Sequence, residues 1–278
     1  MVLFFKEREM DIKDFYIREG EKPLDRLALD GGFCGIFRTI GCIGDSLSSG
    51  EFEGILEDGK KLYYDAYDYS WGQVLGRMSG SKVYNFSHGG MSAKQFYEES
   101  APKFDWFDPE KACQAYIFAL GVNDMSQVNA GQIEFGELSD ICENEDDCPK
   151  TVIGYYTRII HKYKKISPHA KFFLMNMPRC AGYDKPRLPY VDKLTEALYK
   201  MAEIFENIYV LDIRKYGPEY DSDFNRMFYL LGHLNPMGYI FTAKMVASYI
   251  DYIIRANPED FKQIGFVCSK HEKSILGD

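Results

Sequence analysis

Gly44-Asp45-Ser46-Leu47 closes the apolar run Phe37-Arg38-Thr39-Ile40-Gly41-Cys42-Ile43. A serine carried by a strand into a tight turn at the start of a helix is placed either as a nucleophile or in an anion-binding loop. As a nucleophile, Ser46 needs a base, because a free hydroxyl is far too weak an acid to attack an ester. The chain holds five histidines. His161 lies beside Lys162 in a polar helical stretch, His169 follows a Ser-Pro loop, and His271 sits in a charged tail. His233 instead opens the block His233-Leu234-Asn235-Pro236-Met237-Gly238-Tyr239 and leads straight into a helix, which makes it the candidate base. His88, in Asn85-Phe86-Ser87-His88-Gly89-Gly90-Met91-Ser92, is its rival and a candidate for lining the pocket or donating to substrate.

Acyl transfer to a serine builds negative charge on an oxygen, and fixed neutral donors aimed at it are typically worth about 10²- to 10³-fold each in rate. The backbone N–H of Ser46, the backbone N–H of Gly90 and the side-chain amide of Asn123, in Gly121-Val122-Asn123-Asp124, form such a set. Glycine lets the backbone approach a substrate closely, and asparagine donates without carrying charge. Taken singly, Gly89-Gly90 reads equally as an ordinary turn and Asn123-Asp124 as a helix cap.

The elements that must position these groups follow from periodicity. Five runs rich in β-branched and aromatic residues read as buried parallel strands: 38–43, 82–86, 115–120, 171–175 and 208–213. Residues 151–165 and 189–205 place apolar side chains at helical spacing, and a last helix over 236–255 has proline in its first turn. Alternating strands and helices predict a three-layer α/β/α sandwich around a five-stranded parallel sheet, with ligands beyond the carboxyl ends of the strands. The first three blocks end the first three strands, so they converge on that edge. Asp58-Gly59 between apolar flanks predicts a hairpin over 55–64, whose tyrosines could wall a pocket or cover a helix.

A chain of 278 residues with 46% hydrophobic content can bury one substantial core, so one domain is expected, with residues 1–36 as an arm packed on it. The net charge of -9 is dispersed and no basic stripe occurs, which argues against nucleic acid or an anionic membrane as partner and favours a neutral small molecule. The seven cysteines show no Cys-x-x-Cys spacing and read as mostly free thiols. Cys142 and Cys148 bracket an acidic segment that reads as a solvated loop, with a local disulfide or a cation site as the alternatives. The start Met1-Val2-Leu3-Phe4-Phe5-Lys6-Glu7 lacks the pattern of a signal peptide, so a cytoplasmic location is expected. Nothing in the sequence sets an oligomeric state.

On these four blocks the chain resembles the GDSL, or SGNH, hydrolase family of serine esterases and lipases. By that resemblance Ser46 matches the nucleophile, Gly90 the oxyanion glycine, Asn123 the oxyanion asparagine and His233 the base. It implies a flavodoxin-like sandwich, ester hydrolysis through an acyl-serine and no metal or organic cofactor. The expected substrates are short acyl esters, with acetyl esters of carbohydrates as the narrower expectation. Two positions depart from the family pattern. Ser87 stands where glycine is common, and Leu230 stands three residues before His233, where the family carries the aspartate that orients the imidazole. Asp223, with Asp221 as alternative, or a main-chain carbonyl is expected to fill that role. A module of the same fold that binds carbohydrate or acyl groups without turnover is the competing reading. A phosphate or nucleotide binder is a third, disfavoured because neither a P-loop nor Gly-x-Gly-x-x-Gly follows the first strand.

Overall fold

Side-chain alternation along the strands decides the layers. In Ala115–Ala119, residues Tyr116 and Phe118 enter one apolar cluster while Ala115 and Ile117 enter another, on the opposite face of the sheet. Phe172 and Leu174 face the first cluster and Phe173 the second. A strand whose successive side chains are all apolar must be covered twice, and helices cover it on both sides.

The computed structural model describes residues 11–180 and 188–277. Its strands of four or more residues are β1 (Thr39–Gly44), β2 (Glu51–Ile55), β3 (Lys61–Asp65), β4 (Lys82–Ser87), β5 (Ala115–Ala119), β6 (Lys171–Met175) and β7 (Ile208–Leu211). The helices used below are α1 (Ser46–Ser49), α2 (Trp71–Ser79), α3 (Val122–Asn129), α4 (Val152–Ile166), α5 (Leu188–Ile204), α6 (Ser222–Phe228) and α7 (Pro236–Ala256). The central sheet has five parallel strands in the order β4-β1-β5-β6-β7. Residues of α4 and α5 fill the first cluster, and residues of α2 and α7 the second. The expected three-layer α/β/α sandwich is therefore the observed one.

Register explains why distant blocks meet. Gly44, the last residue of β1, lies beside Ser87 on one side and Ala119 on the other. The loops leaving β1, β4 and β5 thus start level with one another.

The expected hairpin forms but is longer than 55–64: β2 and β3 pair antiparallel from Glu51 with Asp65 to Ile55 with Lys61, through a turn containing Gly59. It begins one residue after α1, so it grows directly out of the Ser46 turn. The backbone N–H of Ala66 donates to the Gly50 carbonyl at 2.9 Å, and Ser49 Oγ hydrogen-bonds Asp65, which ties the hairpin back to α1.

Residues 11–36 of the arm lie against α7 and contain two 3₁₀ turns. Ala28 N–H donates to Ser248 Oγ at 3.0 Å, Phe33 N–H to Asp251 at 2.8 Å, and Arg255 pairs with both Asp251 and Glu21. Residues 1–10 of the arm lie outside the described residues.

The cysteine expectation needs a correction. Cys142 and Cys148 are disulfide-bonded, with Cα atoms 5.4 Å apart. A 3₁₀ turn at Glu145–Asp147 folds the segment back to a separation that a disulfide spans. Nor is the acidic segment simply solvated, since Glu145 is buried and pairs with Lys162 and Lys165. Cys34, Cys42 and Cys113 are free and buried.

Candidate active site

The Ser46 turn is as tight as its sequence. A Cβ on Gly44 would lie 2.1 Å from Ser48 Oγ and 2.5 Å from Ser48 Cβ, so only glycine lets β1 fold onto α1 here. Asp45 caps that helix by accepting the Leu47 N–H at 3.0 Å. Ser46 itself is half-buried at the first helical position.

The side-chain amide of Asn123 joins this turn to the second block. It donates to Asp45 Oδ2 at 3.3 Å and to the Met91 carbonyl at 3.1 Å, next to Ser46 on one side and Gly90 on the other. Gly90 is exposed and has φ +74°, in the left-handed region that favours glycine. Its N–H and that of Ser46 are bonded to no other described residue. Ser46, Gly90 and Asn123 are therefore brought together at one edge, as expected.

Two buried carboxyls hold this edge. Burial pushes Asp45 up to about 7, with the charges of Asp124 and Glu51 adding and the Leu47 N–H opposing. Burial likewise pushes Asp124 up to about 6, against the N–H of Ala93, which donates to it at 2.9 Å.

His233 belongs to a two-residue ladder, Tyr229–Leu230 with His233–Leu234, that packs against both α1 and β2. Its ring lies over one face of β2. Strand geometry puts Glu51 and Glu53 on that face, two residues apart. Glu53 Oε2 stands 3.3 Å from Nδ1, and Glu51 Oε1 stands 3.2 Å from Nε2. Tyr63, opposite Glu53 in the hairpin, meets the imidazole edge-on with centroids 5.9 Å apart. Ser46 Oγ makes no hydrogen bond to His233 or to any other described residue.

The two glutamates differ. Glu53 is only 3% exposed, ion-paired to Lys61 Nζ at 2.6 Å and bonded by the Gly232 N–H at 2.9 Å. The Lys61 contact holds its carboxyl below the ordinary range, with the Gly232 N–H and His233 assisting and burial opposing. Glu51 lacks such a lysine, and burial pushes its carboxyl up, with the charges of Asp65 and Glu53 adding and His233 opposing.

Three sequence expectations change. Asp223 does not stand behind the imidazole: it is exposed on α6 and pairs with Arg226 at 3.4 Å. Asp221 caps the same helix by accepting the Phe224 N–H at 2.9 Å. A carboxylate rather than a main-chain carbonyl faces Nδ1, and it comes from β2. His88 has no free donor for substrate. Its Nδ1 donates to the Gly89 carbonyl at 2.9 Å, which leaves Nε2 to accept from Ser100 Oγ at 2.6 Å, and Trp106 packs against the ring. Sequence reasoning missed Glu51 and Glu53 because the expected hairpin begins only at residue 55, which leaves both outside it. The one available signal was their closeness to Ser46.

A small apolar cavity of about 70 Å³ adjoins the turn through Asp45, Leu47 and Ser48 and is closed by residues such as Val122, Met177 and Leu234. Among the described residues, no group of three or more histidine, cysteine or acidic side chains is arranged to hold a metal ion, and no helix is long and apolar enough to cross a membrane.

Residues 42–240, which span all four blocks, match the model of the GDSL-like lipase/acylhydrolase family. The chain belongs to that family. It is accordingly a hydrolase of ester bonds, in a family where a serine nucleophile and an oxyanion hole are typical. No curated protein sequence matches it. Solved structures that it resembles include a family two carbohydrate esterase from Clostridium thermocellum, in complex with cellohexaose, at 15% identity and TM-score 0.56, covering 84% of this chain and 66% of that one. A carbohydrate esterase family 2 enzyme from Corynascus thermopiles (Myceliophthora fergusii) gives 16% identity and TM-score 0.51 over 77% of this chain and 65% of that one. The esterase EstA from a Pseudoalteromonas species gives 13% and 0.50 over 78% and 98%. At these identities the likeness is one of fold.

Proposed function

We propose that this GDSL-family chain cleaves short-acyl esters, acetyl esters of carbohydrates foremost, through an acyl-Ser46 intermediate. The observation that carries the reading is the Asn123 amide, which reaches both Asp45 and Met91 and so draws Ser46, Gly90 and Asn123 around one point, with the His233 ladder packed on α1.

In the reaction, Ser46 Oγ bonds to the ester carbonyl carbon as its proton passes to His233 Nε2. The carbonyl π pair moves onto oxygen, where the N–H groups of Ser46 and Gly90 stabilise it, joined by the Asn123 amide as one of its two N–H bonds turns from Asp45 or Met91 to the substrate. Collapse breaks the bond to the alkoxide, which leaves with the proton from Nε2. Water then repeats the sequence and releases the acid. Nε2 must turn from Glu51 to Ser46 for the first transfer.

None of Ser46, Gly90, Asn123 and His233 lines the small apolar cavity, so the proposed preference for short acyl groups does not rest on it. Tyr63, about half exposed beside His233, offers a flat face suited to a sugar ring, and carbohydrate esterases share the fold. The test is turnover of p-nitrophenyl acetate, longer acyl esters and acetylated sugars by the wild type and by Ser46→Ala. The expectation is loss of all turnover in the variant, with its circular dichroism unchanged, and acetyl esters as preferred substrates. Full activity in the variant would move the chemistry elsewhere.

The contact between Nε2 and Glu51 favours one competing reading, a carbohydrate-binding module without turnover. In that case the wild type hydrolyses none of the panel, and Ser46→Ala binds ligand as the wild type does.

A further inference from the structure

We propose that Glu53, from the hairpin that follows the nucleophile turn, is the positioning residue that orients His233, in place of the aspartate that Leu230 displaces. This rests on the esterase reading above and assigns a further residue to its machinery.

A base that takes a serine proton on Nε2 must carry its own proton on Nδ1, and an anion facing Nδ1 fixes that tautomer. Glu53 is the carboxylate there, at 3.3 Å. It is nearly fully buried, yet it is not a stray charge, because Lys61 and the Gly232 N–H engage it from two further directions. A buried carboxylate with this set of partners stays ionised and stays in place. Gly232 is part of the arrangement, since a Cβ there would lie 2.6 Å from Glu53 Oε2. Leu230, across the ladder from His233, is half exposed and has no group that could accept the Nδ1 proton.

Glu51 cannot do this work. It faces Nε2, the nitrogen that must receive the Ser46 proton, so its contact with the ring belongs to the resting arrangement. Glu53 and Glu51 thus divide the two nitrogens between them: one is held through the reaction, the other released.

The decisive variant is Glu53→Gln. Its amide oxygen keeps the place of Oε2, where the Gly232 N–H and Nδ1–H both donate, and its NH₂ pushes the exposed Lys61 ammonium aside. The tautomer is kept, but the anion that stabilises the imidazolium formed when Nε2 takes the Ser46 proton is gone. The expected result is a fall in kcat of about 10²- to 10⁴-fold with KM unchanged, up to the size of an acid-to-amide exchange behind a catalytic histidine. In ¹⁵N spectra the His233 ring should keep the Nδ1–H form, so the loss reports the missing charge. Glu53→Asp, which keeps the charge, should lose less than the glutamine variant.

Unchanged kcat in a folded Glu53→Gln protein would overturn the assignment. Should the glutamine variant not fold, Lys61→Met removes only the exposed partner of Glu53, and a loss of kcat at constant KM is expected; wild-type kcat there would likewise overturn it. Ser46→Ala separates the two claims. If that variant is inactive while Glu53→Gln keeps full turnover, the esterase reading stands and the role of Glu53 falls.

Discussion

Replacing Asp45 by asparagine should stabilise the fold at alkaline pH and destabilise it in acid. Asp45 is 2% exposed, and its carboxyl sits at about 7 in the folded chain, chiefly through burial. An unfolded aspartate titrates near 4, so the folded state keeps a proton that the unfolded state has already lost. The sign follows: this group subtracts nothing from stability below about pH 4, progressively more as the pH rises, and its full penalty above about pH 7. Three pH units correspond to about 4 kcal/mol at pH 8. Asparagine escapes that penalty but cannot reproduce both hydrogen bonds. Its oxygen can keep the Leu47 N–H, while its NH₂ then faces the Asn123 amide where Oδ2 used to accept. Losing that acceptor costs about 1–3 kcal/mol at any pH. The net gain at pH 8 is about 1–3 kcal/mol, or roughly 5 °C in Tm for a chain of this size. At pH 4 only the cost remains, so the variant should melt below the wild type. Melting both proteins by circular dichroism from pH 4 to pH 8 measures the difference and cancels the titrating groups that do not couple to Asp45. A Tm difference that is constant over that range would refute the reasoning. Turnover should fall at all pH values, since Asn123 loses one of the acceptors that hold it.

Asn123→Ala removes a donor to the developing oxyanion and should lower kcat about 10²- to 10³-fold against p-nitrophenyl acetate, with a smaller effect on KM. Gly44→Ala forces a methyl into Ser48 and should cost about 1–3 kcal/mol in urea unfolding, with a loss of turnover as Ser46 shifts. Normal kcat in that variant would show that the turn relaxes without moving the nucleophile.

What could be read in advance followed from local chemistry. The central strands announced themselves because residues such as Tyr116-Ile117-Phe118 are apolar on both faces, and Lys171–Met175 falls where the pattern puts it. α7 was visible from Pro236 at its first position; Asn235 ahead of it proves to cap the helix, its side chain accepting the Gly238 N–H at 2.9 Å. Ser46, Gly90 and Asn123 were legible because each ends a strand of one parallel sheet, and the parallel register makes those ends level. The orienting acid was not legible. Local sequence points from His233 towards Asp223, whereas the contact to Glu53 spans 180 residues and depends on how the His233 ladder docks on β2. Glu53 also contradicts its own residue type: a buried glutamate is recognised only once Lys61 and Gly232 are seen around it. The disulfide escaped for a similar reason, since spacing does not reveal the 3₁₀ turn that folds Cys148 back onto Cys142.

Ser46 and Glu53 are only seven positions apart, on one continuous stretch of turn and strand. Two of the three groups that any proton relay here requires therefore travel as a single rigid piece, and a drift of that piece leaves their spacing intact. Alignment reduces to one seam, where residue 233 meets β2. Tyr239, in the first turn of α7, stitches it by donating its hydroxyl to the Glu51 carbonyl at 2.8 Å. The third group is thus tied to the other two through a side-chain hydroxyl on its own helix, and the relay can tolerate a breathing sheet behind it.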